Sequence, residues 1–62
     1  MFRTYDLFEV MPKGELIWRT KVEGHEAAIA KLEESAKKSR NEFRLMHLPT
    51  NAVIATINAK LV

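Results

Sequence analysis

Two runs rich in aromatic and β-branched residues open the chain, with a turn signal between them. Residues 2–10 and 16–22 have the composition of β-strands. Between them, Pro12 suits the second position of a tight turn and Gly14 suits its exit, where a left-handed conformation is required. The pattern predicts a β-hairpin.

After Gly24 the apolar residues follow a helical period. Residues 25–39 are almost all good helix formers. Gly24 can cap the start of this helix, and Asn41 tolerates the left-handed conformation that often ends one. One narrow apolar stripe is expected to face the rest of the protein, and it consists of Ala28, Ile29, Leu32 and Ala36.

Two further extended runs follow the helix. Residues 42–48 and 52–58 are separated by Pro49-Thr50-Asn51, which is again a turn sequence. The order ββαββ predicts one α+β domain over residues 1–62, with two layers: a four-stranded, mostly antiparallel sheet and one helix on one face. Strand orders 2-1-3-4 and 1-2-4-3 both keep all neighbours antiparallel, so the order stays open.

The predicted strands carry large apolar side chains on both faces. Alternation along the last strand places Val53 and Ile57 on one side and Ile54 on the other. The first strand likewise places Leu7 and Phe8 on opposite faces. A sheet with one solvated face should alternate apolar with polar residues, so something besides the single helix should cover the second face.

The length and composition of the chain lead us to expect that a second copy of the chain covers the second face of the sheet. A 62-residue chain has a marginal core, and this one has no cysteine for disulfides or thiolate metal sites. We therefore expect a non-enzymatic interaction module that forms a homodimer through the uncovered sheet face or an edge strand. The residues expected at this interface are Trp18, Met46, Leu48 and Tyr5.

Catalytic and metal-binding patterns do not emerge from the sequence. Neither His25 nor His47 has another histidine at metal-ligand spacing, and no G-x-S-x-G turn presents a serine. Two glycines cannot build a phosphate-binding loop. We expect no enzyme activity, no cofactor and no metal. The uncharged run 45–59 is too short for a membrane span and the N-terminus does not resemble a signal peptide, so a cytoplasmic location is expected.

A cluster of cations at the C-terminal end of the helix and in the residues that follow it supports an alternative function. We call these cations, which are listed at the end of this paragraph, the basic pole. In a small nucleic-acid-binding protein the basic pole could contact phosphates, with Trp18, Tyr5 and Phe43 as stacking aromatics. Compensation of the helix dipole explains the same charges, and a net charge of +2 is low for a nucleic-acid binder. A third alternative is a small-molecule site in the groove between sheet and helix. The basic pole consists of Lys37, Lys38, Arg40 and Arg44.

Four short motifs occur together along the chain: Tyr5-Asp6, Trp18-Arg19, Asn41-Glu42 and His47-Leu48-Pro49-Thr50. With these motifs, nearly the whole chain resembles a group of short bacterial proteins of the acidobacterial kind. The resemblance implies a cytoplasmic bacterial protein and brings with it no substrate, cofactor or catalytic residue.

Overall fold

A computed structural model describes residues 3–58 of the chain. Its elements follow the predicted order ββαββ and form a two-layer α+β domain, which confirms the expected fold class. The predicted strand position of Phe2 lies outside the described residues. The elements are β1 (Thr4–Val10), β2 (Leu16–Glu23), α1 (His25–Lys38), β3 (Glu42–His47) and β4 (Ala52–Ile57).

The four strands form one sheet in the order β2-β1-β3-β4. Each neighbouring pair is antiparallel, so the structure selects the first of the two orders that the sequence left open. The two central strands are β1 and β3, and they supply the buried core residues of the sheet. The two edge strands are β2 and β4.

Both hairpin turns have the predicted chemistry. Gly14 has a φ of 94°, and its amide donates to the Met11 carbonyl at 2.8 Å. Between β3 and β4, Asn51 has a φ of 55° and its amide donates to the Leu48 carbonyl at 3.1 Å. Glycine and asparagine therefore stand where the chain needs a left-handed residue.

The helix begins as predicted and ends earlier than predicted. Gly24 is the N-cap, with a φ of 90°, and its amide donates to the Arg3 carbonyl at 2.9 Å. Ser39, in an extended conformation, is the C-cap, so the predicted exit at Asn41 is wrong by two residues. The structure uses Asn41 instead for a side-chain contact with β1, described below.

The core lies between α1 and one face of the sheet, called here the covered face. The predicted helix stripe is in place, because Ala28 and Leu32 are buried and Ile29 packs beside them. From the sheet, two residues of each central strand complete the cluster. The buried apolar residues are Tyr5, Leu7, Ala28, Leu32, Phe43 and Leu45.

Each edge strand contains one β-bulge, and the residues beyond it lie on the opposite face from the one that simple alternation would give. In β2, Thr20 pairs with Leu7 and Trp18 pairs with Phe8, so Arg19 is the extra residue. Because paired residues share a face and adjacent strand residues alternate, Trp18 and Thr20 lie on opposite faces although they are two apart.

The bulge in β4 corrects one expectation from simple alternation. Ile57 pairs with Phe43 on the covered face, whereas Val53 pairs with Met46 on the other face. The extra residue is Ile54. The prediction that Val53 and Ile57 share a side is therefore wrong, since a bulge between them inverts the alternation.

Candidate functional site: the open face of the sheet

The face of the sheet that points away from α1 is called here the open face. In β1, the open-face residues alternate along the strand with the buried Tyr5 and Leu7. In the other strands, the open-face residues are those that pair with the open-face residues of β1 or with one another. Six apolar side chains lie on it: Phe8, Val10, Leu16, Trp18, Met46 and Val53.

Exposure on the open face increases from the centre to the edges. Phe8 and Met46, on the central strands, are partly buried by their neighbours. Leu16, Trp18 and Val53, on the edge strands, are 48%, 54% and 49% exposed. Trp18 pairs with Phe8, Leu16 pairs with Val10 and Val53 pairs with Met46, so each exposed side chain lies beside a partly buried apolar one. Exposed apolar groups of this kind are common at interaction sites.

Trp18 is held in place on the open face. Its indole Nε1 donates a hydrogen bond of 2.8 Å to Oδ1 of Asp6 on the neighbouring strand. Asp6 is only 6% exposed and lies opposite Lys21 in the β1–β2 register. The hydrogen bond fixes the orientation of a large, half-exposed aromatic ring before any partner binds.

The charged residues of the open face are balanced in sign. Lys21 lies opposite Asp6 and Glu23 lies opposite Thr4. At the other end, Arg44 Nε donates to Glu42 Oε2 at 2.7 Å. Two cations and three carboxylates thus lie among the apolar side chains, with Asp6 opposite Met46 and Arg44 opposite Phe8 on the central strands. The face as a whole carries little net charge.

The structure places three of the four predicted interface residues at or beside this surface. Trp18 and Met46 lie on the open face itself. Leu48 is 42% exposed in the β3–β4 turn and borders a cleft of about 340 Å³ that Asp6 also lines.

Tyr5 is the exception among the predicted interface residues, and its assignment is corrected. It lies on the covered face and is only 4% exposed. Its ring packs between His25 and His47, with ring centroids 6.1 and 5.9 Å away. Phe43 is equally buried at 3%, so neither aromatic residue is available for stacking with a base.

The structure divides the predicted basic pole between two sides of the sheet. Arg44 lies on the open face, where it pairs with Glu42. Lys37 and Lys38 are exposed on the last turn of α1, and Lys38 Nζ lies 3.3 Å from Glu34 Oε1. The four cations of the pole, which include Arg40, therefore do not form one continuous surface.

A buried polar cluster on the covered side was not predicted from the sequence. Glu9, 6% exposed, receives hydrogen bonds from Asn41 Nδ2 at 2.7 Å, Arg19 Nε at 2.8 Å and Ser39 Oγ at 3.1 Å. The hydrogen bonds from Asn41 and Arg19 lower the pKa of Glu9, outweighing the effect of burial. A carboxylate held ionised by three donors ties the end of α1 to the sheet.

A cleft of about 450 Å³ opens beside this cluster, between α1 and the β2 edge. Leu7 and Phe43 form its floor, and both are almost fully buried. Lys31 and Lys38 stand at its rim, where each also lies within 4.0 Å of Glu34, at 3.7 and 3.3 Å. This is the groove in which the sequence suggested a small-molecule site.

Within residues 3–58, no group of three or more histidine, aspartate or glutamate side chains is arranged to hold a metal ion. The same part of the chain has no helix long and apolar enough to cross a bilayer. Comparison of the chain with models of protein families, with curated proteins and with solved structures gives no match. The resemblance to short acidobacterial-type proteins stays a prediction.

Proposed function

We propose that the protein is a self-associating module and that its open face binds the open face of a second copy. The observation that carries the proposal is Trp18, a half-exposed indole fixed by a buried carboxylate on a face that carries five other apolar side chains. Tryptophan is the residue type most enriched among those that dominate binding energy, and a ring already oriented loses little entropy on binding.

The balanced charge of the open face supports a second copy as the occupant. In a twofold contact the same patch is used twice, so a face with one dominant charge would repel its copy. The open face has two cations and three carboxylates among its apolar side chains, and Arg44 and Glu42 already pair with each other. Two such faces can meet without large repulsion.

The size of the open face sets the expected strength of the contact. Four strands at ~4.8 Å spacing and six residues at ~3.3 Å give a face of about 19 by 20 Å. A standard interface buries about 800 Å² of accessible surface on each partner, so this one belongs at the small end. We expect a dimer that dissociates on dilution.

The same charge balance gives nucleic-acid binding weaker support. A phosphate backbone would meet more carboxylates than cations on the open face, and the basic pole is split between two sides of the sheet. Co-purifying nucleic acid, seen as raised absorbance at 260 nm and removed by high salt, would favour this alternative.

The experiment uses Trp18 as its reporter, because it is the only tryptophan in the chain. Light scattering and tryptophan fluorescence are measured over a range of protein concentrations. We expect the mass to rise from 7.1 kDa towards twice that value, while the emission shifts to shorter wavelength as the indole leaves water.

Two variants decide whether the open face is responsible. Leu16→Glu keeps Trp18 as the reporter and places a charge without a partner in the contact, so both changes should disappear. Ala30→Glu adds the same charge on an exposed position of α1 and should leave both changes intact. A parent protein that remains at 7.1 kDa with constant emission at every concentration would overturn the proposal.

A further inference from the structure

The cleft between α1 and the β2 edge has more positive than negative charge in its lining. Three cations line it, namely Arg19, Lys31 and Lys38. Among the described residues, the lining includes one carboxylate, Glu9, whose side chain is 8% exposed and already receives three hydrogen bonds. The side chains of the three cations are 42% to 75% exposed, so the charge that a ligand meets in the cleft is positive.

The bulge in β2 brings two consecutive residues into this cleft. In a regular strand, the side chains of adjacent residues point to opposite faces of the sheet. Arg19 is the extra residue between the paired positions Trp18 and Thr20, and both Arg19 and Thr20 line the cleft. Bulges often re-aim a side chain beside a functional site. Here the bulge supplies a guanidinium group and a hydroxyl group from the strand, while α1 supplies the two lysines.

The two lysines of the cleft share one acceptor on α1. Nζ of Lys38 and Nζ of Lys31 lie 3.3 and 3.7 Å from the same atom, Oε1 of Glu34. The two ammonium groups are therefore close together at the rim of the cleft. Glu34 is 53% exposed, and exposed ion pairs contribute little to stability. An anion with a higher charge can thus replace this carboxylate as the partner of both lysines.

We propose that this cleft binds a small phosphate monoester, whose phosphate group contacts Arg19, Lys31 and Lys38. The three cations and one carboxylate of the lining leave an excess of two positive charges. A phosphate monoester matches this excess, because it carries a charge of about −1.5 to −2 at pH 7. Lysine and arginine both bind phosphate through charge-assisted hydrogen bonds. Glu34 lowers the excess while it holds the two lysines, so it competes with the ligand.

The volume of the cleft leaves room for the organic part of the ester. At about 450 Å³, the cleft lies within the range of about 300–1,000 Å³ that is typical of small-molecule sites, and a phosphate group alone fills only part of it. The cleft lies on the covered side of the sheet. Ligand binding there is therefore separate from the open-face contact of the proposed function and can be tested whether or not the protein associates.

Titration of isotope-labelled protein with phenyl phosphate tests the site by nuclear magnetic resonance. We expect saturable changes in the amide chemical shifts of Thr20, Ser35 and Lys38, which all line the cleft. Benzoate has a similar ring with a single negative charge, so it should bind more weakly. Absence of saturable changes at these residues in millimolar phenyl phosphate would overturn the site, and equal affinity for benzoate would overturn the assignment of a phosphate ligand.

Two neighbouring lysines separate the cleft from a general effect of positive charge. Lys38→Gln removes a cation that lines the cleft and should weaken the binding of phenyl phosphate by about fivefold or more. Lys37→Gln removes the same charge from an adjacent exposed position outside the lining and should change the affinity by less than about twofold. Equal weakening by the two variants would show that the ester follows general charge and would overturn the site.

Glu34 gives a test of opposite sign. Glu34→Gln removes the competing acceptor of both lysines, so phenyl phosphate should bind about two to five times more tightly. Glu33→Gln removes the same charge from the adjacent exposed position and should give a smaller gain. Circular dichroism checks that each variant keeps the parental fold. Unchanged or weaker binding by Glu34→Gln, or an equal gain from Glu33→Gln, would contradict the proposed competition and overturn the lysine pair as the phosphate ligand.

Discussion

The covered face and the open face are two sides of the same four strands, and both carry large apolar side chains on the central strands. On the covered side α1 buries Leu7 and Leu45 to 1% and 0% exposure. On the open side Trp18 stays 54% exposed. Large apolar side chains alone therefore do not distinguish a buried face from an exposed one, because the number of available layers decides which face is covered.

The two faces also differ in the hydrogen-bond donors that their buried carboxylate receives. Glu9, on the covered side, receives donors from β2 and from the segment after α1. Asp6, on the open side, receives the Trp18 indole N–H at 2.8 Å. The first arrangement joins separate parts of the fold, and the second orients one side chain at the surface.

The largest expected effect compares one leucine from each side. Leu32→Ala removes a helix residue that is 4% exposed and should cost about 2–5 kcal/mol of unfolding free energy. Leu16→Ala, at a position 48% exposed, should cost less than about 1 kcal/mol in dilute protein. Thermal and urea denaturation measure both. Equal losses would mean that α1 does not cover the sheet as described.

The next effect compares the two carboxylates. Glu9→Ala leaves Asn41, Ser39 and Arg19 without their acceptor and should cost about 3 kcal/mol, since a hydrogen bond to a charged group contributes about 1.5–3 kcal/mol. Asp6→Ala removes one such bond and should cost about half as much, while the Trp18 fluorescence anisotropy falls. A larger loss for Asp6→Ala would reverse the roles assigned to the two groups.

The smallest effect is a pH dependence that belongs to the covered side. Because folding lowers the pKa of Glu9 from its ordinary value of 4.5, its contribution to stability is full above that value and is lost as pH falls below it. Glu9→Gln should therefore flatten the fall in melting temperature between about pH 5 and pH 3.

A matched control for this profile is Glu34→Gln. The hydrogen bond from Lys38 also lowers the pKa of Glu34, but that carboxylate is 53% exposed on the surface of α1. Exposed ion pairs contribute little to stability, so this variant should keep nearly the parental profile. A stronger flattening by Glu34→Gln than by Glu9→Gln would contradict the assignment.

The elements were predictable because their signals are local. Pro12 and Gly14 mark a turn whatever lies around them, and the apolar stripe through Leu32 follows from helical spacing alone. The open face was expected for the same reason, since the sheet needs two covers and the chain offers one. The strand order was not, because both candidate orders satisfied the same local rules.

The unpredicted features depend on residues far apart in sequence. Glu9 meets Ser39 and Asn41 across 30 and 32 positions, and no spacing rule connects them. The face of Tyr5 depends on strand register and on which side α1 packs. Each bulge changes the side-chain phase without a glycine or proline to mark it, so strict alternation assigned Val53 to the wrong side.

The two bulges also identify where the length of an edge strand can change. Deleting Ile54 would leave Val53 and Ala55 opposite their present partners, so the strand would shorten by one residue and keep every face. Deleting Arg19 preserves the faces of β2 in the same way but removes a cation that lies 2.6 Å from Glu9. Deleting any paired residue would instead move each side chain in the remainder of the strand to the opposite face of the sheet. In chains that share this fold, one-residue length differences should therefore collect at Ile54, and less often at Arg19.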